Sequence, residues 1–390
     1  MKVLRIIASV DPRLGGPGEA VLRSAEAMAK VGHSTEVATL DLPDSEFLKS
    51  FPIRTHPLGE VGPFSRVRYS SRLVPWLRMH ALDYNVATIE GLWNYASIGG
   101  WLGIGRLLPY VVFPHGMMDP WFRVAAPLKH AVKRMYWRLG EGRVLRDARY
   151  VLFTTEEEQR LAQGVFGGHS YRGKVVAFGT ADAPGQNASE GERQKQLFRS
   201  KLPALGNRPY LLFLSRIDRK KGCDLLLRAF ARLAEEFPDI DLVVAGPDLS
   251  GLRKTLEAES EGLGIAGRVH WPGMLMGDEK WGAFRGAAAF VLSSHQENFG
   301  IVVAEALSCS TPVLISSKVN IWREVKSSGA GLVADDTESG TYEMLKQFLR
   351  LDLPTLSEMR SAARYCFLSQ FEIGSAANDL TEVLKEIAIQ

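Results

Sequence analysis

The sequence is poor in cysteine, has no long apolar run and carries almost no net charge. Its three cysteines, Cys223, Cys309 and Cys366, lie far apart, so they form no metal or redox spacing and fit a reducing compartment. The longest run without a charged residue, 91–105, falls short of the roughly 20 apolar residues that a membrane-spanning helix needs. A net charge of +3 over 390 residues does not suggest a dedicated nucleic-acid binder.

The sequence also lacks an obvious targeting segment, internal repeats of solenoid length and low-complexity tracts. The opening residues, MKVLRIIASVDP, are too short and too charged for a signal peptide. A composition that is 46% hydrophobic and 23% charged is ordinary for a globular protein, and the length allows two domains of typical size. We therefore expect a cytoplasmic protein, and a peripheral contact with the inner face of the plasma membrane stays open.

Strand-like and helix-like segments alternate in both halves of the chain. KVLRIIAS is followed by the helical pattern EAVLRSAEAMAKVG in the first half, and PYLLFLSRID by CDLLLRAFARLAEEF in the second. Such alternation implies parallel sheets with crossover helices, and the polar stretch 179–193 separates the two series. The prediction is an α/β protein with two doubly wound domains, whose ligand site lies in a central cleft beyond the strand ends.

Two glutamates, Glu297 and Glu305, bracket the apolar run in QENFGIVVAEALSC. Because the strand AAFVLSS ends just before them, Glu297 and Asn298 should lie in a strand-to-helix loop. Gly300 would let the backbone approach a ligand, and free N–H groups at a helix start near Ile301 would form an anion site. Carboxylates accept hydrogen bonds from sugar and ribose hydroxyls. The plainer alternative is a solvated loop residue and a charge on a helix surface.

Cationic and imidazole side chains follow two other strands. Arg216 and Lys221, in FLSRIDRKKG, would project from the carboxyl end of a strand, where they could bind a diphosphate. The alternative is a basic, solvated turn. His115 follows YVVFP and precedes a glycine, so it faces the same presumed cleft, although by position alone it could equally be a structural histidine.

These segments together carry a family resemblance over nearly the whole chain. SRIDRKKGCDLLLRAF followed by ENFGIVVAEALSCSTPVL resembles family 4 of the retaining glycosyltransferases, and GGPGEAVLRSAEAMAKVGH looks like the family's first glycine loop and helix. EGLW, PHGMMDPW and NIWREV resemble a bacterial branch that builds exopolysaccharide or lipopolysaccharide. The resemblance implies a GT-B fold of two Rossmann-like domains. The acceptor-binding domain would span 1–180, the nucleotide-sugar-binding domain 181–370, and a C-terminal helix at 371–390 would pack back toward the N-terminal domain.

The resemblance also implies roles for the residues that match the family's pattern. Catalytic roles fall to Arg216 and Lys221 on the donor diphosphate, to Glu297 at the transferred sugar and to His115, which reaches that sugar from the N-terminal domain. Glu305 would bind the ribose hydroxyls. The remaining matches would contact the nucleotide sugar, largely through the main chain, and are Gly15, Gly16, Gly246, Met274, Asn298, Phe299, Gly300, Ile301 and Val302.

The implied reaction moves a hexosyl unit from a nucleotide diphosphate sugar to a sugar or lipid-linked saccharide acceptor, with retention. A UDP-hexose such as UDP-glucose is favoured, and GDP-mannose comes next. Neither a metal nor a cofactor is expected, because cationic side chains and a helix start would stabilise the leaving pyrophosphate. The sequence does not settle the acceptor or the oligomeric state.

Two alternatives of similar fold remain, together with one unassigned segment. An NAD(P)-dependent oxidoreductase is suggested by GGPG after the first strand and Asp41 after the second, but Val21 stands where the third glycine belongs. A sugar-nucleotide epimerase would convert the donor without an acceptor.

The basic segment 127–149, with its aromatic residues, could lie on an anionic membrane, hold a lipid-pyrophosphate acceptor or be a solvated face.

Overall fold

The computed structural model describes residues 1–14, 16–62, 67–121, 123 and 127–389. Within it the chain divides into two compact units. Unit 1 comprises Met1–Gly179 together with Ile373–Gln390, and unit 2 comprises Thr180–Glu372. None of the described helices is long and apolar enough to cross a bilayer.

Unit 1 is built on a parallel sheet whose strands run in the order β3-β2-β1-β4-β5-β6-β7. These strands are β1 (Lys2–Ile7), β2 (Ser34–Thr39), β3 (Thr55–Pro57), β4 (Val86–Glu90), β5 (Tyr110–Phe113), β6 (Tyr150–Phe153) and β7 (Gly173–Val175). The helices described before the C-terminal one are α1 (Gly16–Lys30), α2 (Leu73–His80), α3 (Tyr95–Ile104), α4 (Pro127–Tyr136), α5 (Gly142–Asp147) and α6 (Glu156–Ala162).

The two faces of this sheet bury different sets of side chains, because successive residues of a strand point to opposite faces. From β1, Leu4 and Ile6 join a core with residues of α2 and α3. Val3 points the other way, where it packs with Met28 and Leu384 of the C-terminal helix Ile373–Ile387. Burial on both faces explains why these strands read as continuous apolar runs.

Unit 2 repeats the plan with a parallel sheet of order β10-β9-β8-β11-β12-β13. Its strands are β8 (Tyr210–Leu214), β9 (Asp241–Ala245), β10 (Val269–Gly273), β11 (Ala289–Leu292), β12 (Val313–Ser316) and β13 (Gly331–Ala334). Its helices are α7 (Ala188–Lys201), α8 (Cys223–Leu233), α9 (Leu252–Gly262), α10 (Gly277–Gly286), α11 (Ile301–Ser308), α12 (Trp322–Ser328), α13 (Glu338–Leu349) and α14 (Leu353–Cys366).

Shorter helical segments complete the two units. Segments of 3-10 helix lie at Pro12–Leu14, Glu46–Ser50, Ala81–Asp83, Pro203–Leu205, Arg219–Lys221 and Ala266–Arg268, and π-helical turns at Trp137–Glu141 and Phe367–Phe371.

The strand order reverses once in each sheet, between β1 and β4 in unit 1 and between β8 and β11 in unit 2. Both sheets are parallel and are covered by crossover helices, which confirms the predicted α/β class with two doubly wound, Rossmann-like sheets. In such sheets a ligand binds beyond the carboxyl ends of the strands at the reversal point. The loops after these four strands are therefore the first place to look for a site.

Candidate functional site

In unit 2, the loops that follow β8 and β11 are joined at the reversal point by hydrogen bonds to one carbonyl. The His295 N–H donates to the carbonyl of Lys220 at 2.8 Å, and the Ser294 hydroxyl donates to the same oxygen at 2.9 Å. Because the two loops share these bonds, side chains on one hold a defined position relative to the other. Both loops carry residues that the sequence analysis singled out.

Lys221 and Glu297, one from each loop, form an ion pair. The side chains are only 11% and 20% exposed, so the two charges meet in a partly desolvated place. The main chain of Glu297 is fixed as well, since its N–H donates to the Lys318 carbonyl at 2.9 Å and its carbonyl accepts from the Asn320 N–H at 3.0 Å. The structure thus brings together a cation and a carboxylate that lie 76 positions apart in the chain.

The start of α11 offers main-chain donors beside this pair. Gly300 precedes the helix with φ of 78°, in the left-handed region that glycine adopts without strain. The N–H groups of Ile301 and Val302 have no acceptor in the part of the chain that the structure describes. Unpaired N–H groups and the helix dipole favour an anion at this end. Phe299 is buried with its ring edge-on to Phe371 at 5.5 Å, so only its main chain could reach a ligand.

The second glutamate also has a cationic partner. Glu305 lies in the second turn of α11 and accepts a bond from Nζ of Lys280 at 2.6 Å. Lys280 belongs to α10, and its ammonium also lies 4.5 Å from the ring centre of Trp281. The sequence analysis missed Lys280, because nothing in the spacing relates a lysine of one helix to a glutamate of the next. It also missed Asn320, whose amide nitrogen lies 3.4 Å from the side-chain oxygen of Asn298.

Three other predicted residues of unit 2 have different surroundings. Arg216 is exposed and has no side-chain hydrogen bond or ion pair within the described residues. Met274 follows β10 and is 57% exposed. Gly246, with φ of 137°, packs so closely that an added Cβ would lie 1.8 Å from the Ser215 carbonyl oxygen. Glycine is therefore a packing requirement at position 246, whatever else it contributes.

In unit 1, His115 follows β5 and is held by a buried charged pair. Its Nε2 lies 2.7 Å from a carboxylate oxygen of Glu90, the last residue of β4. The other oxygen of Glu90 accepts from Arg5 at 2.9 Å, and both of these side chains are 2% exposed. His115 itself has φ of 49°, uncommon for a residue with a side chain, and its ring stacks on Phe113. This arrangement fixes the orientation of the imidazole.

The charge on Glu90 is stabilised in spite of its burial. Burial raises the pKa of this carboxyl, but the hydrogen bond from His115 and the Arg5 guanidinium lower it further, to about 2. Glu90 and Arg5 were not predicted as site residues. A charged residue within a continuous apolar strand was the available signal, in KVLRII and in VATIE.

Of the predicted glycine pair, Gly16 opens α1 and Gly15 lies outside the described residues.

Asp41, the candidate ribose acid of the oxidoreductase alternative, is already engaged by the protein. One carboxylate oxygen accepts from the Ser9 hydroxyl at 2.5 Å and from Arg68 at 3.1 Å. The other accepts from the Val10 N–H at 2.9 Å and from the Thr39 hydroxyl at 2.7 Å. With four donors on a buried carboxylate, no acceptor capacity faces a ribose hydroxyl. The geometry opposes dinucleotide binding in the loop after β1.

Two family models match the chain, one over each half. The model described as "Glycosyl transferase 4-like domain" matches residues 15–179, and the one described as "Glycosyl transferases group 1" matches residues 194–364. Each half of the chain thus belongs to a glycosyltransferase domain family. This confirms the resemblance read from the sequence.

Curated relatives of this glycosyltransferase match over part of their length. The D-inositol 3-phosphate glycosyltransferase of Rhodococcus jostii is 32% identical over 207 residues, covering 51% of this chain and 44% of the relative. The protein of the same name from Thermomonospora curvata is 31% identical over 238 residues, covering 57% of this chain and 54% of the relative. The chain thus spans about half the length of these curated relatives.

Solved structures match the glycosyltransferase over its whole length. HepE from Anabaena, solved in complex with UDP and glucose, has a TM-score of 0.76 at 18% identity, over 99% of this chain and 100% of that chain. The sucrose-phosphate synthase from Thermosynechococcus elongatus has a TM-score of 0.75 at 19% identity, over 99% of each chain. At such identity the likeness shows the fold, which is the predicted GT-B fold.

Proposed function

We propose that this protein transfers a hexosyl unit from a nucleoside diphosphate sugar to an acceptor hydroxyl, with retention of the anomeric configuration. The observation that carries the proposal is the Lys221–Glu297 pair beside the open start of α11, at the point where the strand order of unit 2 reverses. Unit 2 would bind the donor, and unit 1 the acceptor.

The leaving group of this reaction is a pyrophosphate that gains charge as the anomeric bond breaks. The donors suited to that charge are the N–H groups of Ile301 and Val302, the ammonium of Lys221 and the guanidinium of Arg216, which has no partner among the described residues. Preorganised donors of this kind stabilise a transition state because they need no rearrangement as the charge develops. Before the donor binds, Glu297 neutralises Lys221. A bound diphosphate would pair with Lys221 instead, and the Glu297 carboxylate would then accept hydrogen bonds from sugar hydroxyls.

The nucleoside side of the donor is assigned to the rest of the site. Glu305, oriented by Lys280, would accept from the ribose hydroxyls. Gly246, Met274 and the main chain at 298–300 would line the nucleotide sugar. The Anabaena neighbour was solved with UDP and glucose, which supports a UDP-hexose, with UDP-glucose first and GDP-mannose next.

His115 is proposed to contact the transferred sugar. Its Nε2 is engaged by Glu90, so the contact would come from Nδ1 or from the main chain of the strained turn. Gly15 and Gly16 would face phosphates and acceptor at the start of α1. In this scheme Glu297 positions the sugar, and the departing phosphate helps to deprotonate the acceptor hydroxyl.

We propose a saccharide or lipid-linked saccharide as the acceptor, in cytoplasmic polysaccharide biosynthesis. The segments EGLW, PHGMMDPW and NIWREV support it. The names of the curated relatives support a second candidate, D-inositol 3-phosphate. Assays of UDP-glucose consumption with each acceptor class, analysed for product anomer, separate the two. Donor conversion without any acceptor would favour the epimerase instead.

The donor site is tested by exchanging Lys221 for alanine. Loss of a charge-assisted hydrogen bond worth about 1.5–3 kcal/mol should weaken UDP binding roughly tenfold to a hundredfold, measured by calorimetry. Arg219→Ala is the matched control, because Arg219 lies in the same 3-10 turn and its exposed side chain has no partner among the described residues. If Lys221→Ala bound UDP as tightly as the native protein, the assignment would be wrong.

A further inference from the structure

An exposed stripe of aliphatic side chains runs along α4 and the π-helical turn that continues it. Its members are Leu128, Val132, Met135 and Leu139, which are 85%, 63%, 61% and 67% exposed. Their spacing of four, three and four places them on one face of a helix. Single exposed apolar residues are ordinary, but four on successive turns form a continuous apolar strip, here called the aliphatic stripe.

The opposite face of the same segment anchors it to unit 1. Trp137 is 1% exposed and stacks on Phe166 with ring centres 5.0 Å apart. His130, about two turns earlier, stacks on the same ring at 5.1 Å. The rings of Trp137 and His130 therefore pack into the core of unit 1, and the aliphatic side chains face outward. This is the reverse of the usual orientation, in which the aliphatic face of a surface helix is buried.

Exposed cations flank the aliphatic stripe. Arg123, Arg134, Arg138 and Arg143 are exposed, and none has a side-chain hydrogen bond or ion pair with another described residue. No aspartate or glutamate occurs between positions 120 and 140. Exposed arginines elsewhere in unit 1 commonly meet a carboxylate, as Arg23 does with Glu19. As far as the described residues show, the face thus has positive charge without carboxylate partners around an apolar centre.

The charge is concentrated at a groove beside α4. Arg123 and Arg134 line this groove together with His130, Gly164 and Gly167. Burial and the positive charges of Arg123 and Arg134 lower the pKa of His130, as expected where cations gather. The groove is open and has the right charge for a lipid phosphate.

We propose that this surface docks on an anionic lipid bilayer. The aliphatic stripe would enter the boundary between headgroups and acyl chains, and the flanking arginines would meet lipid phosphates. A second copy of the chain is a poorer occupant, because a symmetric contact through the stripe would bring the two sets of arginines together. The inference goes beyond glycosyl transfer and does not depend on it, since neither donor binding nor transfer requires this face.

The first test is co-sedimentation of the whole protein with vesicles. We expect binding to vesicles of equal parts phosphatidylcholine and phosphatidylglycerol, weaker binding as salt is added, and little binding to phosphatidylcholine alone. Leu128→Gln with Leu139→Gln should lower the partition coefficient roughly tenfold or more, because two large side chains lose their apolar contact. The matched control is Leu82→Gln with Leu353→Gln, two leucines that are 72% and 82% exposed elsewhere.

The charge contribution is tested separately. Arg134→Glu with Arg138→Glu should abolish the preference for anionic vesicles. Arg78→Glu with Lys326→Glu makes the same change of net charge at exposed positions away from the stripe and should leave the preference in place. Gel filtration with light scattering shows whether either change alters the oligomeric state.

A labelled variant reports insertion directly. The three native cysteines are buried, so an environment-sensitive probe would react selectively with a thiol introduced by Met135→Cys. Its emission should shift to the blue on anionic vesicles, and the probe at Met79→Cys, a residue 78% exposed elsewhere in unit 1, should not respond. Equal binding to neutral and anionic vesicles, stripe variants that bind like the native protein, or a stripe-dependent dimer in solution would each overturn the proposal.

Discussion

Replacing Glu90 by glutamine would remove the carboxylate that joins Arg5 to His115. Glutamine keeps the size of the side chain, so the main effect is the loss of one buried charge. Arg5 would keep only neutral partners, such as the Ser24 hydroxyl at 3.1 Å, and its Nε already lacks a partner within the described residues. Removing one member of a buried ion pair costs about 3–5 kcal/mol, because the other charge stays uncompensated.

The pKa of Glu90 gives an independent value for the free energy of unfolding that this carboxylate contributes. Folding lowers this pKa from 4.5 to about 2, and each unit corresponds to 1.36 kcal/mol, so the contribution is on the order of 3 kcal/mol. Because the folded-state pKa is the lower one, this stability is present above about pH 4.5 and is lost as the pH falls toward about 2. At pH 7 the full difference between native and variant protein should appear.

Urea unfolding at pH 7 measures the loss of free energy of unfolding for Glu90→Gln, and hydrogen exchange at β1 and β4 shows whether it lies in unit 1. The double variant Arg5→Met with Glu90→Gln is the control, since removing both charges should cost less than removing the carboxylate alone. A loss below about 1 kcal/mol for Glu90→Gln, or a double variant less stable than the single one, would refute the reasoning.

Three further predictions concern buried groups in both units. Burial raises the pKa of Glu141 to about 7, so the free energy of unfolding should fall as the pH rises from about 4.5 through 7. Glu141→Gln should remove this pH dependence, which amounts to up to about 3 kcal/mol, and urea unfolding at several pH values measures it. Gly246→Ala would press a Cβ against the Ser215 carbonyl and should cost about 2 kcal/mol or more, seen as a lowered Tm and weaker UDP binding. The three buried cysteines, whose pKa burial raises, should resist a thiol reagent in the native protein and react in urea.

Features that depend on neighbouring residues could be predicted from the sequence. The alternation of apolar strands and amphipathic helices led to the two parallel sheets, because periodicity reports which face each segment buries. The helix start expected near Ile301 is observed at Ile301, since Gly300 limits the helix locally. The motifs after β8 and β11 were likewise sufficient to identify the family.

Pairings across the fold could not be predicted in this way. Glu90 lies 85 positions from Arg5 and 25 from His115, and Lys280 lies 25 from Glu305, so only strand order and helix packing bring them together. A charged residue in a buried strand signals that a partner exists without saying which one it is.

The orientation of α4 shows the same limit. The sequence by itself sets the spacing of four, three and four residues between Leu128, Val132, Met135 and Leu139, which places them on one side of any helix, because 3.6 residues make a turn. Only the tertiary structure decided that this side faces outward, since Phe166 accepts the rings of His130 and Trp137 and the core has room for one face alone.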